Sequence, residues 1–317
     1  MSDNWSSAAL SSSLPAMDWT LKKPLSNEVW QSYCKFYQLP CSQESYPKHY
    51  AGLLSIAGFH VVAQVWQPKS PTATAYLVHG LYDHVGLYHQ LIKYCLGKGW
   101  RVVTFDLPGH GLSSGKRCAI ESFQQYDQIF TKILTNICLH FSEPIHVFGQ
   151  STGGAIIANY LLKYNVNKVN SPFKSINLIS PLVRPKGWLK IQLFLAVARL
   201  YKTHLERGIS TNSHDPEFLE FVQTKDPLQT KQLAISWVEA VVDWNKFIEK
   251  RQPSDVEVNI VQGTDDYSVL WKYNLEFLKK KLPNSSIELI ENARHHLVNE
   301  TAEFQQPMWD FFNDRIV

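Results

Sequence analysis

Ile145-His146-Val147-Phe148-Gly149-Gln150-Ser151-Thr152-Gly153-Gly154 is the most informative stretch of the chain. Three of its first four residues, Ile145, Val147 and Phe148, are apolar β-formers. The run that follows, Ala155-Ile156-Ile157-Ala158-Asn159-Tyr160-Leu161-Leu162, suits a buried helix. Gly-x-Ser-x-Gly between a strand and a helix predicts a nucleophile elbow. A serine on a tight, strained turn needs nearly side-chain-free neighbours two positions away on either side. The helix that starts behind it offers unpaired N–H groups to a developing oxyanion. The competing reading is a Gly-rich turn with a capping serine. A serine hydroxyl is a weak nucleophile without a base, so the decision rests on whether partners exist.

Short apolar runs flank the elbow on both sides: Ser55 to Trp66, Ala73 to His79, Trp100 to Asp106, Ser175 to Ile179, Val256 to Val261 and Ile287 to Ile290. Most end at Gly or Pro. Helical patterns separate them at Val85 to Leu96, Glu121 to Phe141, Gly153 to Tyr164, Leu270 to Lys281 and Leu297 to Phe312. Strands that alternate with helices predict an α/β fold with a mostly parallel central sheet covered on both faces. The rhythm breaks between Pro181 and about Pro253, where no strand pattern occurs. Trp188 to Tyr201 and Leu228 to Lys250 read as helices there. The first is apolar on much of its circumference and must be covered or face something greasy. Residues 183–252 are therefore expected to form a helical cap, or lid, inserted into a core of residues 51–182 and 253–317. Residues 1–50 are expected to be an N-terminal extension, a loose tail to about residue 25 and then a short helix over Ser26 to Tyr37 capped by Ser26.

The partners that Ser151 needs lie downstream, in the order acid then His that this elbow requires. Asp265 and Asp266 follow the strand ending at Val261, and His295 and His296 follow the one ending at Ile290. Both pairs sit just past the C-terminal ends of strands, where catalytic groups collect in open α/β sheets. Residue type alone leaves the choice within each pair open. His79-Gly80-Leu81 follows another strand, so the Leu81 N–H is expected to join that of Thr152 as an oxyanion hole. His79 then organises the loop and is not a base.

Composition narrows the classes. Net charge is only +3 from 31 basic and 28 acidic residues, so a clustered basic excess for nucleic acid is absent. The five cysteines, Cys34, Cys41, Cys95, Cys118 and Cys138, are odd in number and contain no CxxC pair. Free thiols in a reducing compartment are expected, with no metal site and no cofactor. The Ser-rich start has neither a basic n-region nor an apolar h-region, and no run is long and apolar enough to span a membrane. A cytoplasmic, soluble protein is expected, with peripheral contact at the inner face of a membrane through the cap left open, as is the oligomeric state.

Several segments carry a family resemblance. His79-Gly-Leu-Tyr-Asp-His-Val-Gly-Leu-Tyr88 resembles the HGxxEHxxRY segment of the α/β-hydrolases grouped as monoacylglycerol lipases, bacterial lysophospholipases and serine aminopeptidase-like hydrolases. Asp106 to Arg117 resembles that family's D-x-x-GHG-x-S-x-G-x-R stretch, and Gly149 to Gly154 its GHSMGG elbow. Gly263-Thr-Asp-Asp266 resembles its G-x-x-D turn, which implies Asp266 as the acid. Ala293-Arg-His-His-Leu-Val-Asn-Glu300 resembles ARHELLNE, which implies His295 as the base. Asp226-Pro-Leu228 and Trp237 fit a pattern late in the cap. The departures are Gln150 for His, Thr152 for Met and Asp83 for Glu.

The expected activity is a Ser-His-Asp hydrolase of single-chain lipid esters, with the acyl chain held by Trp188, Ile191, Phe194 and Leu195 of the first cap helix. A serine aminopeptidase would instead use acids of the cap, Glu206, Asp215, Glu217 and Glu220, to bind an amine. A non-catalytic binding protein on the same scaffold is disfavoured, because nucleophile, acid and base types are all retained.

Overall fold

The structure is a computed structural model, and it describes residues 5–41, 46–198, 203–206 and 211–316. Its strands are β1 (Lys48–Ile56), β2 (Phe59–Gln67), β3 (Thr74–Val78), β4 (Arg101–Phe105), β5 (Ile145–Gln150), β6 (Ser175–Ile179), β7 (His204–Glu206), β8 (Gln232–Ala234), β9 (Val258–Gly263) and β10 (Ser285–Ile290). The helices are α1 (Ser7–Ser13), α2 (Glu28–Phe36), α3 (His89–Gly97), α4 (Phe123–His140), α5 (Thr152–Lys163), α6 (Trp188–Ala198), α7 (Pro216–Glu220), α8 (Ile235–Glu249), α9 (Trp271–Lys281) and α10 (Ala302–Arg315).

Eight strands form one sheet in the order β1-β2-β4-β3-β5-β6-β9-β10. The β1–β2 hairpin is antiparallel, and β2 meets β4 antiparallel. From β4 to β10 every neighbour is parallel. Side chains alternate across this sheet. In β3, Tyr76 and Val78 join one apolar layer while Ala75 and Leu77 join the other. In β5, Val147 and Phe148 divide the same way. Helices α4, α5, α8 and α9 supply the first layer, and α2, α3 and α10 the second. Each fully buried Val, Leu, Ile or Phe contributes about 1.5–3 kcal/mol. The sheet therefore fixes the strand ends that carry the functional loops. This is the α/β-hydrolase fold, and residues between β6 and β9 add helices to it.

Several expectations change. Residues 5–25 are not a loose tail: Leu10, Leu14 and Trp19 are buried, and Met17 N–H donates to Leu53 O at 3.0 Å. Leu10 and Leu14 are one helical turn apart, but in a short Ser-rich segment two leucines make too weak a pattern to reveal α1, and only the tertiary contact shows their role. The cap of α2 is Asn27, not Ser26; its Oδ1 accepts the Trp30 N–H at 2.8 Å. Two three-residue strands, β7 and β8, pair within the stretch that showed no strand pattern. They are too short for alternation to register. The helix from Trp188 is described to Ala198, and Leu200 and Tyr201 lie outside the described residues.

The cysteine expectation fails for one pair. Helix α2 ends in a reversal with Gln38 at φ 54°, where Leu39 N–H returns to Cys34 O and Gln38 N–H to Lys35 O. That turn brings Cys41 back over the helix, and Cys34 and Cys41 are joined as a disulfide. Cys95, Cys118 and Cys138 remain thiols, outside any disulfide. Among the described residues no helix is long and apolar enough to cross a membrane.

Candidate active site

Ser151 occupies the turn between β5 and α5 with φ 51° and ψ −109°. A non-glycine residue at positive φ is strained and persists only where its surroundings hold it. Here the Ser151 N–H donates to Ile179 O at 2.9 Å, and Ser151 O accepts from Leu182 N–H at 3.0 Å and Ala155 N–H at 3.0 Å. The flanking glycines leave no alternative. A Cβ on Gly149 would lie 2.5 Å from Gly153 C, and one on Gly153 would lie 2.0 Å from Val78 O. The sequence spacing is thus a direct record of backbone crowding.

The Ser151 hydroxyl donates to His295 Nε2 at 3.0 Å. His295 Nδ1–H donates to Asp266 Oδ2 at 2.7 Å. Asp266 accepts three further N–H groups, from Gln262 Nε2 at 2.9 Å, Ser268 at 2.8 Å and Val269 at 3.2 Å. Burial would push the Asp266 carboxyl up, yet His295 and these donors hold it below the ordinary carboxylate value. Burial would likewise depress His295, but the Asp266 charge holds its imidazole above the ordinary value. The neighbouring candidates point elsewhere. Asp265 lies 3.9 Å from Arg294 Nε, and His296 Nε2 pairs with Asp83 Oδ1 at 2.9 Å.

His79 faces the loop before Leu81. Its Nδ1–H donates to Gly80 O at 2.7 Å while its Nε2 accepts the Leu107 N–H at 2.9 Å. Burial pulls its pKa down to about 3, so the ring is neutral and both nitrogens are occupied by the loop. Leu81 and Thr152, the first residue of α5, border the same cavity as Ser151.

That cavity measures about 410 Å³, within the range of sites for small organic ligands. Its lower wall carries Leu81, Ser151, Thr152 and His295, and its upper wall carries Ile191, Leu233, Trp237 and Val238. Of the four residues expected to hold an acyl chain, Ile191 lines the cavity. Trp188 and Leu195 do not; they are buried in the apolar layer, with Trp188 also against the Arg184 guanidinium. A helix can turn only part of its apolar surface toward the cavity, and the rest packs on the protein. The Phe194 side chain lies outside the described residues.

The acidic residues of the insertion do not gather over Ser151. Glu206 is exposed. Asp215, Glu217 and Glu220 border a separate cavity of about 540 Å³. Phe218 separates the two, lining that cavity with its ring 5.0 Å from that of His296. Cys34, Cys41 and His49 have metal-ligand chemistry and lie close together, but the disulfide occupies both sulfurs.

The profile of the serine aminopeptidase S33 hydrolases matches residues 69–302. The chain belongs to this family. A monoglyceride lipase homologue of Monkeypox virus is 25 % identical over 257 residues, covering 78 % of this chain and 90 % of that protein. A probable lysophospholipase L2 of Haemophilus influenzae is 25 % identical over 245 residues, covering 71 % and 77 %. An uncharacterised abhydrolase domain-containing protein of Dictyostelium discoideum is 26 % identical over 268 residues; the match covers 80 % of this chain but spans only 28 % of that longer protein. A crystallised soluble variant of Saccharomyces cerevisiae monoglyceride lipase, in complex with a substrate analogue, shares the fold with a TM-score of 0.72. It is 17 % identical and covers 88 % of this chain and 97 % of that one.

Within this S33 member the departures acquire structural roles. Gln150 Nε2–H donates to the His295 carbonyl at 2.8 Å and pins the loop that presents the imidazole. Asp83 accepts from Gly80 N–H at 3.2 Å and Tyr88 O–H at 2.8 Å. Asp226, noted only as part of a pattern, accepts from Tyr37 O–H at 2.6 Å and pairs with His84 Nε2 at 2.9 Å. It ties the insertion both to α2's end and to the loop after β3. Gln262 escaped notice in the sequence. A polar residue closing an apolar strand just before the Gly263 turn is the signal that marks it.

Proposed function

We propose that this S33-family hydrolase cleaves carboxylic esters of single-chain lipids, such as lysophospholipids or monoacylglycerols, through an acyl-enzyme on Ser151. The observation that carries the reading is the hydrogen-bonded chain from Ser151 through His295 to Asp266, opening on a cavity with an apolar upper wall.

In this reading His295 Nε2 takes the hydroxyl proton as Oγ attacks the acyl carbonyl. The Leu81 and Thr152 N–H groups receive the oxyanion, each contributing roughly 3 kcal/mol in the transition state. His295 then returns the proton to the leaving alcohol, and water repeats the sequence to release the fatty acid. Asp266 fixes the tautomer and stabilises the imidazolium without accepting the proton itself. Residues 183–252 act as a cap, with Ile191, Leu233 and Trp237 beside the acyl chain. Each buried methylene adds about 0.8 kcal/mol, roughly fourfold in affinity. The exposed Leu189 and Leu193 on α6 give the cap a surface for peripheral membrane contact. Monoglyceride lipase and lysophospholipase relatives support this substrate class over a peptide, as does the placement of Asp215, Glu217 and Glu220 away from Ser151.

The test is a p-nitrophenyl ester series from acetate upward, run beside lysophospholipid, monoacylglycerol and an aminoacyl-nitroanilide. kcat/KM is expected to rise with acyl length, and Ser151→Ala to abolish turnover while remaining folded. Wild-type hydrolysis by Ser151→Ala overturns the nucleophile, and a flat or falling series overturns the lipid substrate.

A further inference from the structure

Asp83 and His296 lie outside the Ser151–His295–Asp266 chain, yet both border its cavity. Both are buried, with 7 % and 2 % exposure. Their bonds run in two directions. On one side, the Asp83 carboxylate receives the Gly80 N–H, one residue before Leu81, and the Tyr88 hydroxyl. On the other, its Oδ1 receives the His296 Nε2–H at 2.9 Å, one residue after His295. The His296 ring is oriented in turn: Asn299 Nδ2–H donates to Nδ1 at 3.3 Å and also to Leu87 O at 2.8 Å. The His296 N–H donates to Asn212 O at 2.8 Å. The space is closed as well as bonded, since a Cβ on Gly80 would come within 2.8 Å of Asp83 Oδ2.

We propose that Asp83 and His296 are a positioning pair that locks the loop presenting the His295 base to the loop presenting the Leu81 N–H. The inference rests on the hydrolytic reading above and adds to it how two loops distant in sequence keep a common geometry. Proton transfer and oxyanion binding must occur together. Nucleophile, base and donor then have to hold their separation as the carbonyl becomes tetrahedral, and a misplacement of about 1 Å can cost on the order of a hundredfold in rate. Neither residue touches the reacting atoms in this scheme.

The pair also has an electrostatic consequence. Burial would raise the Asp83 carboxyl, but His296 and the loop donors hold it well below the ordinary carboxylate value, so it is charged. Asp83 adds to Asp266 in holding the His295 imidazole up. The titratable or charged groups around His295 are Ser151 on Nε2, Asp266 and Asp83, with His296, Arg294 and Tyr267 on the cavity border. Removing the Asp83 charge disfavours the imidazolium. The neutral base then persists to lower pH, and the acidic limb of kcat/KM moves down.

The experiment measures kcat, KM and the pH profile of ester hydrolysis for wild type, Ser151→Ala, Asp83→Asn, His296→Phe and His296→Gln. His296→Phe keeps a ring of similar size but no donor. Loss of a buried charge-assisted hydrogen bond lowers kcat by about tenfold or more, with KM expected to stay within about twofold because ground-state binding is untouched. His296→Gln, which restores an N–H, is expected to recover most of the rate. Asp83→Asn is expected to lower kcat and shift the acidic limb to lower pH. Wild-type kcat in folded His296→Phe overturns the pair, as does a loss confined to KM, a Gln variant no better than Phe, or an unmoved limb in Asp83→Asn. If Asp83→Asn does not fold, the two His296 variants decide. Full turnover by Ser151→Ala would sink the hydrolytic reading and the pair with it. An inactive Ser151→Ala beside an unaffected His296→Phe sinks the pair alone.

Discussion

On the lower wall of the cavity, Ser151, His295 and Asp266 sit among hydrogen bonds of 2.7–3.2 Å, beside glycines with no room for a methyl group. On the upper wall, Ile191, Leu233, Trp237 and Val238 come from α6, β8 and α8, which pack mainly through apolar contact. Polar bonds tie that side down mainly away from the cavity: Asp226 to Tyr37 and His84, Gln229 Nε2 to Tyr82 O at 3.0 Å, Trp244 Nε1 to Asn159 Oδ1 at 3.2 Å, Asn245 Nδ2 to Val183 O at 2.7 Å, and Arg184 to Glu249 at 2.7 Å. Directional bonds lose most of their worth with small displacements, whereas apolar contact depends on area and tolerates repacking. The lower wall therefore fixes a reaction geometry, and the upper wall adjusts what fits beneath it.

This contrast can be broken most decisively at the acid. Asp266→Asn is expected to lower kcat on the order of 10³–10⁴-fold, because the wrong tautomer of His295 is then favoured. Asp265→Asn should change it less than about threefold, in line with a half-buried, 3.9 Å ion pair that does not touch His295. Steady-state kinetics on a p-nitrophenyl ester compares them, and equal losses would remove the distinction. Next in size is Gly153→Ala. Its Cβ has no space beside Val78 O, so a destabilisation of about 3 kcal/mol or more is expected in urea unfolding. A variant as stable as wild type would refute the crowding argument.

The upper wall should respond differently. Ile191→Ala removes apolar surface from the cavity without touching a hydrogen bond. Its kcat/KM on a long-chain ester is expected to fall about tenfold, while acetate hydrolysis stays nearly unchanged. Equal losses on both substrates would mean that Ile191 supports the reaction geometry. The smallest effect concerns pH. His295 acts as a base only when neutral, and its imidazole is held above the ordinary 6.5. Activity should therefore be lost as pH falls through a midpoint above that value. A wild-type midpoint below it would show that burial outweighs the Asp266 charge.

How far these features were legible depends on the range of the physics behind them. The parallel strands were readable because burial on both faces leaves continuous apolar runs. The hydrogen-bond partner of Ser151 was not readable from residue type, because His295 and His296 are adjacent and alike; only the resemblance of Ala293 to Glu300 to a family segment pointed to His295. Their side chains diverge, one to Ser151 and the other to Asp83. The Trp188-to-Leu195 stripe was readable as helix, but not which part of it meets the cavity. The burial of Leu10 and Trp19 and the pairing of Cys34 with Cys41 were hidden for a related reason: both rest on contacts that a short, sparsely apolar segment does not announce.

The sequence by itself determined the strained serine turn, the α/β alternation and the chain order of serine, acidic and histidine candidates. These follow from local rules, since steric crowding at a turn and burial along a strand act on neighbouring residues. Residue type left open which acid and which histidine meet Ser151; the family resemblance implied Asp266 and His295, and the tertiary structure shows those two in contact while Asp265 and His296 turn away. Only the tertiary structure decided that Ile191 reaches the cavity while Trp188 and Leu195 are packed in the interior. The contact of His295 with Ser151 depends on where loops 144 residues apart come to rest, and contacts of that range are set by packing, which no local pattern of residues displays.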